Sequence, residues 1–347
     1  MNSEHTKQIA LWLVSIIVLL ISMIILGGFT RLTESGLSMV DWRPITGWLP
    51  PLNEAAWEQV FADYRKSPEY LKTNVGMTNI EFRSIFWLEY LHRLLGRIIG
   101  VAFLIPMIVF IFRGWIKGAL LIKVVSLFFL GALQGVLGWY MVKSGLIDRP
   151  DVSQYRLAAH LGLALIILAA VLWVTLDLIK PKAVDASGEG GVNKRFGRGA
   201  LALLCLIFLT IISGAFVAGL GAGHVYNTYP LMDGDFIPRG LWDLSPTFIN
   251  IFENIITVQF DHRILAIIVV ISVAIFYWRT QRVRLTVSQR LSTHALLAAA
   301  CFQVALGIST LLLVVPIPLA AMHQLGGVIL LTTTIWLAHE FRSVQTI

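Results

Sequence analysis

Long apolar runs alternate with shorter polar segments along this 347-residue chain. Each run reaches the roughly 20 residues that an α-helix needs to cross a hydrocarbon core of about 30 Å. The strands of a membrane β-barrel would instead alternate in polarity over about 10 residues. The pattern therefore predicts an all-α membrane protein with eight transmembrane helices. The predicted spans are residues 9–28, 85–112, 120–142, 155–179, 200–220, 252–278, 293–315 and 318–339.

The distribution of basic residues predicts the orientation of these helices. The net charge of +7 could indicate nucleic-acid binding, but most Lys and Arg lie in short loops between spans. Cytoplasmic loops of membrane proteins carry an excess of Lys and Arg. The second-to-third connection contains Arg113 and Lys117, the sixth-to-seventh contains Arg279 and Arg282, and neither connection contains an acidic residue. We therefore expect a multi-pass protein of the inner (cytoplasmic) membrane, with both termini cytoplasmic, residues 31–83 outside, and no nucleic-acid partner.

An internal repeat organises the chain. Residues 27–36 are loosely echoed by residues 214–223, and the pattern Gln-x-x-x-Gly at 134–138 returns at 303–307. Each half has four predicted spans, so both halves enter the membrane from the same side and form a parallel repeat. We therefore expect two pseudo-symmetric four-helix bundles. The predicted domains are residues 1–180, a cytoplasmic linker at 181–198 that is rich in Gly and charge, and residues 199–347.

Four of the eight histidines follow this repeat: His92, His160, His262 and His323. One lies on each even-numbered span, at a similar predicted depth in the outer half of the bilayer. Ionisable residues inside a membrane indicate function, and hydrophobic packing does not explain this matched placement. Facing imidazoles in a bundle suit the two axial positions of a haem iron. Zinc fits less well, because it takes four N or S ligands. The expected pairs are His92 with His160 and His262 with His323.

A carboxylate distinguishes the two halves. Glu89 lies three residues before His92, on the same helix face, and its counterpart Gln259 cannot ionise. This difference favours chemistry in the first half and electron transfer in the second. The alternative is that Glu89 pairs with Arg93 in a structural role. Arg93 and Arg263 each follow a histidine directly, and they are candidates for contacts with haem propionates or, alternatively, with lipid headgroups.

Longer motifs resemble those of a known family. Over nearly its whole length the chain resembles the haem A synthases of the mitochondrial and alphaproteobacterial type. Some bacterial members have a cysteine pair in the first outer loop, whereas residues 31–83 contain no Cys here. The motifs that carry the resemblance are Gly-Gly-Phe-Thr-Arg-Leu-Thr-Glu-Ser-Gly-Leu-Ser at 27–38 with Trp42 and Pro44, Glu89-x-x-His92-Arg93, Asp261-His262-Arg263, and His-Gln-Leu-Gly-Gly at 323–327.

The resemblance implies an oxidoreductase that converts the C8 methyl of haem O into a formyl group. The product, haem A, is destined for cytochrome c oxidase, and the methyl is oxidised by successive hydroxylation. The resemblance also implies that His92 and His160 bind the iron of the substrate haem. It assigns His262 and His323 to a haem b cofactor, and it assigns the essential carboxylate to Glu89.

Other functions share part of this pattern. A dihaem b-type electron-transfer subunit would need the four histidines but not a carboxylate on one side alone. A transporter would suit parallel repeats, but no pair of interrupted helices lies at matched positions. The partners expected for the enzyme are haem O, the lipid bilayer, haem O synthase and assembly factors of cytochrome c oxidase, with a homo-oligomer left open.

Overall fold

The computed structural model describes residues 3–42, 46–146, 152–180 and 190–342. These residues form α-helices joined by loops and two short 3₁₀ turns. The helices are α1 (Ser3–Leu32), α2 (Glu54–Tyr64), α3 (Pro68–Lys72), α4 (Asn79–Phe112), α5 (Gly118–Gly145), α6 (Gln154–Ile179), α7 (Gly190–Gly219), α8 (Asn250–Glu253), α9 (Ile255–Thr280), α10 (Val287–Leu312) and α11 (Ile317–Glu340).

Eight of these helices are long and apolar enough to span a membrane, which confirms the predicted fold class. They are α1, α4, α5, α6, α7, α9, α10 and α11. Some of these helices begin at other residues than predicted, because polar capping residues determine where they start. Thr78 and Glu81 form a reciprocal capping box, so α4 begins at Asn79, before its predicted start. The Asn254 side chain accepts from two backbone N–H groups, so α9 begins after this residue rather than at residue 252.

The predicted linker at 181–198 lies partly outside the described residues, which omit 181–189. Its remainder, from Gly190, is the beginning of α7. Phe196 explains why the helix starts so early. Its ring is buried and lies 5.6 Å from the rings of both Phe276 and Phe341, measured between centroids. An aromatic anchor of this kind stabilises the first turns of a helix whose sequence is rich in glycine.

The chain divides into two compact units. One contains Met1–Val14 and Leu168–Ile347, and the other contains Ser15–Ile167. In the first unit the end of α6 is bound to the end of α11. His339 is fully buried, with its Nε2 3.1 Å from a carboxylate oxygen of Asp177. Lys180 Nζ donates to the Glu340 carboxylate at 2.6 Å. The predicted separation of two four-helix halves at residues 181–198 stays a prediction.

In the unit Ser15–Ile167, the segment between α1 and α4 contains two helices that the hydropathy pattern did not predict. Asn53 caps α2 and Ser67 caps α3, each through its side chain. An aromatic cluster packs these helices onto the first turns of α4. Burial raises the pKa of the Tyr64 phenol in this cluster. Six buried side chains form the cluster: Trp57, Phe61, Tyr64, Phe82, Phe86 and Tyr90.

Candidate functional site

Each of the four repeated histidines packs against a glycine of the preceding long helix. A Cβ atom at Gly27 would lie 3.1 Å from Cε1 of His92, and one at Gly138 would lie 3.0 Å from Cε1 of His160. Such contacts are closer than a side chain normally makes, so the imidazole would have to shift. The glycines therefore explain how a ring fits between two helices at these positions.

The unit that contains Leu168–Ile347 repeats this arrangement. A Cβ atom at Gly214 would lie 3.1 Å from His262 Cε1, and one at Gly307 would lie 2.9 Å from His323 Cε1. The glycines of the two units occupy corresponding places in the repeated motifs at 27–36 and 214–223, and at 134–138 and 303–307. The sequence repeat therefore corresponds to a repeated contact between helices.

The rings of His262 and His323 face each other with their centroids 6.4 Å apart and their planes at 90°. A metal bonded to both rings needs about 6 Å, from two metal–nitrogen bonds of about 2 Å and about 1 Å from each nitrogen to its ring centre. Two neutral imidazoles are also the donor set of a six-coordinate haem. The pair therefore fits a haem iron. The pairing of His92 with His160 stays a prediction.

Two glutamines support one histidine of each pair. Gln134 Nε2 donates to the His160 carbonyl at 3.0 Å and lies 3.3 Å from its Nδ1. Gln303 Nε2 donates to the His323 carbonyl at 3.0 Å and lies 3.1 Å from its Nδ1. These glutamines begin the repeated Gln-x-x-x-Gly pattern, so the signal was visible in the sequence, but it did not identify them as neighbours of the histidines.

Glu89 is almost fully buried, with 3% of its surface exposed. One carboxylate oxygen accepts hydrogen bonds from the Ser38 hydroxyl and from the Met39 backbone N–H, both at 2.7 Å. The other accepts from Arg93, at 3.0 Å from Nε and also from Nη2. All four contacts are donors, and they suit an ionised carboxylate, which only accepts. The arginine pairing considered from the sequence is therefore present.

The arginines bind backbone carbonyls of the loop that follows the preceding long helix. Arg93 donates to the carbonyl of Asp41 at 3.0 Å and to that of Met39 at 2.9 Å. Arg263 donates to the carbonyl of Thr228 at 2.9 Å and to that of Tyr226 at 2.7 Å. Each guanidinium donates to at least two of these carbonyls, whereas Nε of Arg263 is buried without a hydrogen-bond partner among the described residues. The contact with haem propionates stays a prediction.

Gln259 shows what replaces the carboxylate in the unit that contains Leu168–Ile347. It too is 3% exposed, and its Nε2 donates to the Tyr226 carbonyl at 3.0 Å. Its Oε1 has no hydrogen-bond partner within the described part of the chain. The amide therefore contacts its loop as a donor, whereas Glu89 contacts the corresponding loop as an acceptor. The two sites differ in charge as well as in hydrogen bonding.

Comparison with known proteins agrees with these motifs. The model of a family described as cytochrome oxidase assembly protein, COX15-CtaA, matches residues 10–335. The chain belongs to the COX15-CtaA family. This membership confirms the resemblance predicted from the sequence.

Relatives in this family are similar over nearly the whole chain. The heme A synthase of Nitrosospira multiformis is 50% identical over 336 residues, which cover 97% of this chain and 94% of that protein. The heme A synthase COX15 of Homo sapiens is 46% identical over 328 residues, covering 92% of this chain and 79% of that protein. The heme A synthase COX15 of Bos taurus is 47% identical over the same number of residues.

Proposed function

We propose that this COX15-CtaA family member is a haem A synthase, a membrane oxidoreductase that converts the C8 methyl of haem O into the formyl group of haem A. The observation that carries the proposal is the near-complete match to relatives named heme A synthase. The site agrees with it. The two histidine pairs have the same glycine contacts, and among the described residues a buried carboxylate, that of Glu89, lies three residues before His92 of the first pair, where the second half has Gln259.

His262 and His323 would hold a resident haem b through its iron. The 6.4 Å between their ring centroids supports this assignment. A haem in this position supplies one-electron oxidation and reduction. Gly214 and Gly307 give the two imidazoles the space that they occupy, and the amide of Gln259 adds no charge beside the pair.

His92 and His160 would bind the iron of the substrate haem and so hold its macrocycle in one orientation relative to Glu89. The conversion passes through an alcohol and a geminal diol, which loses water. With water as the source of oxygen, the change from methyl to formyl releases four electrons and four protons. The electrons require an external acceptor. The buried carboxylate of Glu89 would accept or stabilise a proton.

Proton uptake by Glu89 would be coupled to movement of its loop. Its oxygens are bound by Ser38, Met39 and Arg93, and all of these contacts are donors. A protonated carboxyl group would give up at least one of them, because the proton occupies an acceptor site. Glu89 thus combines an anchoring role with its role in proton transfer.

The proposed location is the inner membrane, with both termini cytoplasmic and both histidine pairs in the outer half of the bilayer. The basic connections after the second and sixth spans support this orientation. Haem O synthase is the proposed donor of substrate, and assembly factors of cytochrome c oxidase are the proposed recipients of product.

The proposal is tested by producing the protein in cells that contain a source of haem O and extracting the haems. Haem A is expected from the parent. The Glu89→Ala variant should yield a haem A content lowered by about a hundredfold or more, since general acid–base groups contribute about 10²–10⁴ in rate. A parent that binds haems but yields only haem B and haem O would contradict the enzyme proposal and favour the dihaem electron-transfer subunit.

A further inference from the structure

One histidine of the second pair has a hydroxyl partner, and its counterpart in the first pair has no such partner in the described part of the chain. Ser213, on α7 directly before Gly214, has its Oγ 2.8 Å from Nδ1 of His262. The same oxygen is 2.7 Å from the backbone carbonyl of Thr210, one turn earlier. The Ser213 hydroxyl therefore connects the imidazole of His262 to the backbone of α7.

The direction of these hydrogen bonds follows from counting hydrogens. A serine hydroxyl has one hydrogen, and a carbonyl oxygen can only accept. The Ser213 hydroxyl therefore donates to the Thr210 carbonyl and accepts the N–H of His262 Nδ1. This contact favours the tautomer with hydrogen on Nδ1, which leaves the lone pair of Nε2 free for a metal.

The repeat places a leucine where the second half has this serine. Gly27 corresponds to Gly214, so Leu26 corresponds to Ser213. A leucine side chain accepts no hydrogen bond. The Nδ1 atom of His92 is buried and has no hydrogen-bond partner among the described residues. Across the described ranges, no equivalent hydrogen bond therefore selects the tautomer of His92.

We propose that Ser213 is a positioning residue that fixes the Nδ1–H tautomer of His262 and lowers the reduction potential of the haem held by His262 and His323. The inference rests on the proposed function, which assigns the resident haem to this pair. A hydrogen bond donated from Nδ1–H makes the imidazole a stronger electron donor, and hydrogen-bond partners of this kind orient metal ligands and tune the metal. The stronger donor favours the oxidised iron.

The test is an optical redox titration of the full-length protein purified with its haem b. Ser213→Ala should shift the ratio of reduced to oxidised haem at a fixed potential by about three- to tenfold toward the reduced form. At 59 mV per tenfold for one electron, this corresponds to about 28–59 mV. Ser213→Thr keeps a hydroxyl and should retain the parent potential. Thr210→Val is the matched control, because it removes a hydroxyl from the same helix that donates to Leu206 instead.

The haem b content of each purified variant is measured as well, because a variant that loses its cofactor cannot be titrated. Loss of haem b from Ser213→Ala, with parent haem content in Ser213→Thr, would also support a positioning role. Equal loss in both variants, or an unchanged potential in Ser213→Ala, would overturn it. The assignment of the haem is tested separately with His262→Ala. Parent haem b content and an unchanged spectrum in that variant would refute the proposed cofactor site, whatever the serine variants do.

Discussion

Replacing Glu89 with glutamine gives the first site the side chain of the second and tests whether the carboxylate anchors its loop. The change keeps the shape of the side chain but removes its charge. The Met39 N–H, which donates to Glu89 at 2.7 Å, then loses a charged acceptor. Arg93, whose side chain is 7% exposed, loses the charge that it pairs with. We therefore expect the segment around Met39 to open more often.

The size of the effect follows from the burial of the pair. Removing one member of a buried ion pair costs about 3–5 kcal/mol. Arg93 keeps its contacts with two backbone carbonyls, so we take the lower value. About 3 kcal/mol corresponds to roughly a hundredfold change at 1.4 kcal/mol per tenfold. The local opening equilibrium at Met39 should increase by about this factor.

Hydrogen–deuterium exchange measures this opening directly, because exchange of a hydrogen-bonded amide requires it. The peptide that contains Met39 should exchange about a hundredfold faster in Glu89→Gln than in the parent. Glu54→Gln is the matched control. It removes a carboxylate that binds Arg83. The Glu54 side chain is 78% exposed, and exposed ion pairs contribute little to stability. The control should leave exchange at Met39 unchanged.

An unchanged exchange rate at Met39 in Glu89→Gln would refute the anchoring role. Faster exchange in both variants would mean that the segment responds to any loss of charge in this unit. Only an increase specific to Glu89 agrees with a carboxylate that binds the loop through Met39 and Ser38.

Two further predictions concern packing and pH. Gly214→Ala should lower the haem b content, because the new Cβ would lie 3.1 Å from His262 Cε1. Gly135→Ala is the control, because its new Cβ meets no atom within 4 Å, and it should keep the parent spectrum. Equal haem loss in both variants would contradict the packing argument. Burial raises the pKa of Tyr64, so its stabilising contribution is complete below the unfolded pKa of about 10 and is lost as pH rises above it. The thermal unfolding temperature should therefore decrease more steeply with rising alkaline pH in the parent than in Tyr64→Phe. Identical pH profiles of the unfolding temperature would refute this linkage.

The number of spanning helices could be predicted because hydropathy depends on composition over about 20 residues rather than on particular neighbours. The ends of the helices and the short helices could not. The early start of α7 depends on contacts of Phe196 with two aromatic rings from distant parts of the chain. Helices α2 and α3 depend on single capping residues and on an aromatic cluster shared with α4.

The candidate site was predictable where the repeat made it visible. The four histidines and the exchange of Glu89 for Gln259 follow from comparing the two halves. The role of the glycines could not be predicted from this comparison. Glycine occurs in membrane helices for several reasons, and the sequence does not identify the residue that packs against it from the next helix. Ser213 was missed for a related reason. Ser213 corresponds to Leu26 in the repeat, and only the short distance from Ser213 to His262 shows that this difference affects a histidine.

One histidine pair is proposed to hold the substrate haem and the other to hold the cofactor haem. This division is tested by identifying the haems that copurify with two double variants made in cells that contain haem O. We expect His92→Ala/His160→Ala to retain haem b and to contain neither haem O nor haem A. We expect His262→Ala/His323→Ala to lack haem b and to retain unconverted haem O. The reverse pattern, or the same haem content in both variants, would refute the proposed division.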